Sequence, residues 1–228
     1  MKTIAVALVL FTASVAGAQT SADPSGHWKG TIEIPNSPVN FEMDVARNAR
    51  GEYVGTATTG TEKATVPLLK IGVDGKQLTF YARTDQPFLG EISDSGRMIS
   101  GTATLSGYAL PFSMGRTGEA TIEPPPTSPA VSRELEGVWN GAMSAGGAQY
   151  HLVVTIVNQP DGRATAHSVS IDEGGLMLHL TVSQRGSVVT FESRNVPVSY
   201  TGALDAGGTE MVGTFTQGAT SVPLTFTR

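Results

Sequence analysis

Four histidines, a few acidic pairs and one serine in a near-motif are the residues with which this chain could do chemistry. Acyl transfer on an α/β scaffold calls for Gly-x-Ser-x-Gly, because a tight strand-to-helix turn must present the nucleophile. Pro111-Phe112-Ser113-Met114-Gly115 approaches that spacing but lacks the first glycine, and it lies within strand-like alternation. It is therefore not expected to act as a nucleophile elbow. The histidines are His27, His151, His167 and His179. None stands in a His-x-His or His-Glu-x-x-His pattern and cysteine is absent, so no zinc-type ligand set is expected. His167 and His179 would meet across strands near Asp172 or Glu173, but exposed or singly bonded strand histidines are the simpler expectation. Asp94 and Asp172-Glu173 stand beside Gly96 and Gly174, as solvated turn residues do. These residue types point away from an enzyme and call for no cofactor and no metal.

The elements that would position such groups are strands. Trp28, Gly30, Ile32 and Ile34 alternate with Lys29, Thr31 and Glu33; Leu110, Phe112 and Met114 alternate with Pro111 and Ser113. Period two is the pattern of a strand with one buried face. Asp74-Gly75, Asp94-Ser95-Gly96, Asp161-Gly162 and Gly207-Gly208 punctuate the runs as turns. Connections this short favour antiparallel hairpins.

The pattern occurs twice. Gly26, Trp28, Gly30, Gly51, Gly75 and Phe80 return 111 positions later as Gly137, Trp139, Gly141, Gly162, Gly186 and Phe191. Gly90, Gly101, Thr102, Pro111 and Arg116 return at a shift of 112 as Gly202, Gly213, Thr214, Pro223 and Arg228. An internal repeat of this kind defines the architecture. The expected fold is all-β: two tandem antiparallel meander barrels of about eight short strands each. Their bounds are 25–116 and 135–228. Residues 117–134 form a proline-rich linker, with Glu123 to Pro129 as an extended spacer. Pro111 and Pro223 donate no hydrogen bond within the last strand of each copy, so an edge or incomplete closure is expected there.

Residues 1–18 read as a bacterial-type signal peptide: Lys2, an apolar run from Ile4 to Ala16, and the small-residue site Ala16-Gly17-Ala18. The expected destination is the periplasm or the exterior, with no transmembrane segment after cleavage. Without cysteine, the exported chain is held by its cores alone. Net charge is −5 with no basic run, which argues against nucleic acid as a partner.

Two sets of residues follow from this frame. In a barrel whose first and last strands pair, the start of one lies beside the end of the other. Arg116 is then expected over Trp28, and Arg228 over Trp139, each pair closing one barrel end through a cation–π contact of about 0.5–2 kcal/mol. The interior is the second set: Phe41, Phe80 and Phe88 in the first copy, Phe191 and Tyr200 in the second. An eight-stranded barrel is just wide enough to be filled or to hold one small ligand. A filled core is the expected state, and a cavity of about 300 Å³ or more would turn these residues into ligand-lining ones.

The Gly-x-Trp opening with a late Arg looks like the frame of the lipocalin and avidin group. A closer match lies in Tyr200-Thr201-Gly202-Ala203-Leu204, Val212-Gly213-Thr214 and Val222-Pro223-Leu224-Thr225-Phe226-Thr227-Arg228, with counterparts at Phe88 to Ile92, Ile99 to Thr102 and Leu110 to Arg116. It resembles a small all-β domain that precedes the catalytic domain of secreted bacterial α/β-hydrolases. Here the domain stands as a tandem pair without that catalytic domain. The resemblance implies an exported binding or interaction module. Its partner would be a small apolar ligand or another secreted protein, including a separately encoded hydrolase that it assists.

Overall fold

A computed structural model describes residues 22–59 and 64–228. The expected signal peptide and part of the polar loop after Thr58 lie outside the described residues. The first sheet contains nine strands: β1 (Gly26–Ile32), β2 (Val39–Arg47), β3 (Tyr53–Thr59), β4 (Ala64–Pro67), β5 (Leu69–Asp74), β6 (Gln77–Arg83), β7 (Gln86–Ile92), β8 (Met98–Leu105) and β9 (Tyr108–Gly118). The second contains β10 (Ser128–Pro129), β11 (Gly137–Ala145), β12 (Ala148–Asn158), β13 (Arg163–Ser170), β14 (Leu176–Arg185), β15 (Val188–Ser193), β16 (Val198–Leu204), β17 (Glu210–Gln217) and β18 (Thr220–Thr227). Every pairing is antiparallel between sequence neighbours, apart from the first-to-last pairings β1–β9 and β11–β18 and the short β10–β13 contact. The fold is all-β, as the alternation demands.

The two copies close differently. Strands β11 to β18 form a closed eight-stranded barrel, because β13 also pairs with β14 from Ala166–Leu180 to Ser170–Leu176. In the first copy the counterpart of β14 is broken into β4 and β5 at Leu68. Lys70 takes a positive φ of 50° there, and the β5–β6 register shifts between Leu69 and Gly72. The break leaves a nearly closed barrel. At the gap the Leu68 amide donates to the Gly55 carbonyl (2.8 Å), and the Leu68 side chain is buried.

The prolines sit where the register tolerates them. Pro111 pairs with Thr102 on one side, while its carbonyl accepts from the Glu33 amide just past the last β1–β9 pair. Pro223 lies beyond the β11–β18 ladder, which covers only Asn140–Thr227 to Ala142–Thr225. Closure in the second copy is therefore complete but short, and β11 and β18 part company toward Ala145 and Thr220.

The repeated glycine pairs allow backbones to approach. Gly90 faces Gly101 and Gly202 faces Gly213 across adjacent strands. A Cβ built on Gly101 would come 2.6 Å from the Gly90 Cα, closer than side chains ever sit.

The linker is only partly a spacer. Thr121 is tied to the first barrel by its amide donating to Asp44 Oδ1 (2.8 Å). From Ser128 onward the chain belongs to the second sheet: Ser128 pairs with Ala164, and its buried hydroxyl accepts from the Val182 amide (2.8 Å).

Trp28 and Trp139 are both 0% exposed, and their indole N–H groups donate to the carbonyls of Pro24 (2.8 Å) and Leu135 (2.9 Å). Trp28 is paired directly with Arg116, whose guanidinium carbon lies 4.7 Å from the ring centre; Arg228 lies 4.4 Å from Trp139. Each guanidinium also donates to carbonyls of the segment leading into the first strand. Arg116 Nη2 reaches Asp23 (2.6 Å); Arg228 Nη2 reaches Glu134 (2.6 Å) and Glu136 (2.5 Å). Replacing Arg116 by Met keeps the aliphatic stem but removes the charge and the hydrogen bond. Urea unfolding of that variant should show a loss of about 2 kcal/mol, from the cation–π contact and one charge-assisted hydrogen bond together. A change under ~0.5 kcal/mol would count the contact as surface decoration.

Candidate functional site

The Trp–Arg ends of the barrels are covered, so a site must be sought at the opposite ends or within. In the first barrel the interior is filled. Phe80 stacks on Phe88 (centroids 4.6 Å apart, planes 15°), and Phe112 meets Phe88 edge-on at 5.4 Å. Phe41 completes the group at 5.7 Å from Phe88 and 6.2 Å from Phe112. Phe41, Phe80 and Phe88 are thus packed against one another as core, not arrayed around a space.

The second barrel is different. A cavity of about 400 Å³ opens between its strands at the end away from Trp139. Phe191 and Tyr200 line it, with Leu152, Leu180, Leu224 and Phe226 among the other walls. The filled core expected for both copies therefore holds for one only. The cause is a redistribution of rings. Leu152 stands where the first copy has Phe41, and Leu224 where it has Phe112. The register is the same in both: Gly30 faces Phe41 as Gly141 faces Leu152, and Gly101 faces Phe112 as Gly213 faces Leu224. The second copy instead carries Phe226 in place of Met114, nearer the Trp end, and Phe215 in place of Ala103, nearer the mouth. Aromatic volume has moved from the middle of the barrel to its two ends, and the middle is empty.

Tyr200 shows how one wall is held. Its ring stacks on Phe191 (5.6 Å, planes 22°) and meets Phe226 edge-on at 5.1 Å. Its hydroxyl donates to the Met211 carbonyl (3.0 Å). Burial pushes the phenol up to about 12, so it stays a neutral donor at any physiological pH. The ring lies over Gly202, where a Cβ would come 2.6 Å from the Tyr200 ring. The repeated glycine is what lets the ring lie there.

The mouth is rimmed by the β13–β14 turn. Gly174 and Gly175 take positive φ of 65° and 70°, which the tight turn needs. Glu173 from this turn and Gln217 and Thr220 from the β17–β18 hairpin line the opening. The first barrel reaches over to this rim: the Thr84 amide and hydroxyl both donate to the Gly174 carbonyl, at 2.6 and 2.8 Å. A second, larger hollow of about 650 Å³ lies between the barrels, walled by Tyr53, Thr56, Lys70, Pro124 and His179 among others. Its walls are mixed in character and partly formed by the proline segment, so it is an interdomain groove and not an apolar chamber.

The titratable residues gather elsewhere. His27 lies 3.0 Å from Asp44 and 3.4 Å from Glu42, and His151 Nδ1 lies 2.9 Å from Asp172. These are histidine–carboxylate pairs of the kind that orient a catalytic base. No serine, threonine or tyrosine hydroxyl completes either pair among the described residues. His167 and His179 face each other across β13 and β14, while Asp172 turns to His151 and Glu173 to the cavity rim. Asp94 is held by Lys76 in an exposed ion pair. No group of three or more histidine, aspartate or glutamate side chains suited to a metal occurs among the described residues. What the site can do chemically is enclose an apolar body and offer it a few hydroxyls. Sequence reasoning found Phe191 and Tyr200. It missed Ser168, Ser170, Phe215 and the leucines of β14, because a cavity arises from what neighbours fail to fill.

No family model matches the chain, and no curated protein does. Among solved structures it is similar to a protein of unknown function from the DUF3598 family of Nostoc punctiforme, with 14% identity over 89% of this chain and 94% of that one, and a TM-score of 0.26. It is also similar to a Bacteroides fragilis protein titled "putative outer membrane protein", with 13% identity over 89% of this chain and 95% of that one, and a TM-score of 0.29. Superpositions this loose add nothing to what the chain's own sheets show.

His167 and His179 are half-buried, and burial holds both below the ordinary histidine value of 6.5; His179 also feels the charge of His167. The unfolded chain therefore takes up protons first as pH falls. Stability is full above about pH 6.5 and declines below it, toward the depressed native values. Thermal unfolding between pH 7.5 and 5 should show this decline, and a His179→Gln variant should show less of it. A flat profile in the wild-type protein would mean the pair is solvated.

Proposed function

We propose that this protein is an exported, non-catalytic binding protein that carries a small apolar ligand in its second barrel. The single observation behind this reading is the cavity of about 400 Å³ ringed by Leu152, Leu180, Phe191, Tyr200, Leu224 and Phe226. A space of this size falls in the range of small-molecule sites. An empty apolar cavity is costly to maintain, because its lining forfeits the contacts a filled core would make. The first barrel demonstrates that the same frame can be filled with four phenylalanines. The residues expected at the N-terminus, Lys2 through Ala18, support export.

The first copy supplies the test. A Leu152→Phe, Leu224→Phe double variant restores to the second barrel the two rings that fill the first. Native mass spectrometry of wild-type protein from its own source should show a bound small molecule, and the double variant should show none. Filling the cavity should leave stability unchanged or raise it by about 1 kcal/mol. A variant that folds and retains the same bound mass would refute the assignment of the ligand to this cavity.

A further inference from the structure

One polar side chain of the cavity wall is unsatisfied. Ser170, at the end of β13, is only 5% exposed, and its hydroxyl has no hydrogen-bond partner. A buried hydroxyl left unpaired is destabilising and calls for an explanation. Ser170 lines the cavity, its hydroxyl is closed off as it stands, and a change of its χ1 rotamer turns that hydroxyl toward the space; Ser168, on the same face of the same strand, lines the cavity too. Glu173 stands just beyond, on the turn that forms the rim. In the first copy these two serine positions are Ala57 and Thr59. The two serines of β13 thus stand at one side of the mouth, Tyr150, Ser199, Gln217 and Thr220 stand on other strands around it, and the deeper walls formed by Val154, Leu180, Phe191 and Phe226 are apolar. Among the described residues, no lysine, arginine or histidine lines the cavity.

We infer that the ligand is an uncharged amphiphile. Its hydrocarbon body lies against Phe191, Leu224 and Phe226, and a hydroxyl or carbonyl oxygen at its other end hydrogen-bonds Ser170. This inference rests on the carrier reading above and adds the ligand's chemistry. A carboxylate, sulfate or phosphate head would be drawn out of water beside Glu173 with no cation to meet it, and a charge buried without a partner is strongly disfavoured. A neutral oxygen satisfies the Ser170 hydroxyl without that penalty, whereas a quaternary ammonium, even paired with Glu173, has neither donor nor acceptor for that hydroxyl and leaves it buried and unpaired.

The test is displacement of Nile red, a neutral apolar dye, by three ten-carbon amphiphiles at pH 8: 1-decanol, decanoate and decyltrimethylammonium. Saturable Nile red binding to the wild-type protein, lost in the Leu152→Phe, Leu224→Phe variant, upholds the carrier reading; its absence refutes that reading itself. Given binding, decanol should displace the dye at a concentration about tenfold lower than either charged analogue. Ser170→Ala should raise the decanol midpoint about fivefold and the thermal midpoint as well, since the substitution removes an unpaired buried group. Ser170→Thr, which keeps the hydroxyl, should bind decanol within about twofold of wild type. Displacement by decanoate or decyltrimethylammonium at concentrations equal to decanol overturns the uncharged class. A Ser170→Ala protein with unchanged decanol affinity, whatever its stability, overturns the role of Ser170.

Discussion

Everything in this molecule depends on the pairing of a first strand with a last one. Strand β1 lies against β9 and β11 against β18, so the second copy becomes a closed ring and the first a nearly closed one, each around a fixed interior. Once the ring is drawn, the number of strands sets its width, and side chains can only decide how the width is used. The pairing also brings the two chain ends of each copy together, so that Trp28 meets Arg116 and Trp139 meets Arg228. The guanidinium is planar and weakly hydrated, so it lies flat on an indole while donating to nearby carbonyls.

Within that fixed width, the copies have taken opposite courses. The first breaks its ring at Leu68 and fills its interior with stacked and edge-on phenylalanines. The second completes its ring through β13–β14 and leaves its middle open. A filled core can tolerate a gap in its wall, because Leu68 and the rings behind it exclude water by themselves. The second ring is paired all round near Trp139 and opens where β11 and β18 part, at Met143, Ala145, Thr220 and Val222, which line the cavity.

Much of this was legible in the sequence, for reasons tied to particular residues. Period-two alternation around Trp28 and Phe112 shows strands because a pleated strand puts neighbours on opposite faces. The shift of 111 and then 112 shows two copies, since glycines at Gly90–Gly101 and Gly202–Gly213 are held by backbone contact and not by function. The cavity was not legible. Leu152 and Leu224 look like ordinary core residues, and their meaning appears only when they are seen to face each other's missing rings. Nor was the break at Leu68, which depends on a positive φ at Lys70 that no sequence pattern requires. The linker was read as a spacer from its prolines, but the pairing of Ser128 with Ala164 belongs to tertiary contacts that composition does not carry.

Two hydrogen bonds from Thr84 converge on the carbonyl of Gly174, where the second barrel's rim turns. Asn195, in the groove between the barrels, donates to the Thr65 carbonyl of the first barrel (3.4 Å). The solid copy thus meets the hollow one at its rim and again in the groove beside it. A turn built on two adjacent glycines is a pliant piece of such a rim, and the Gly174-Gly175 turn is one that is gripped. The duplication has therefore done more than add mass: one copy has become the brace that holds the other's lip in shape, and any tilt between the copies acts as a lever on the mouth.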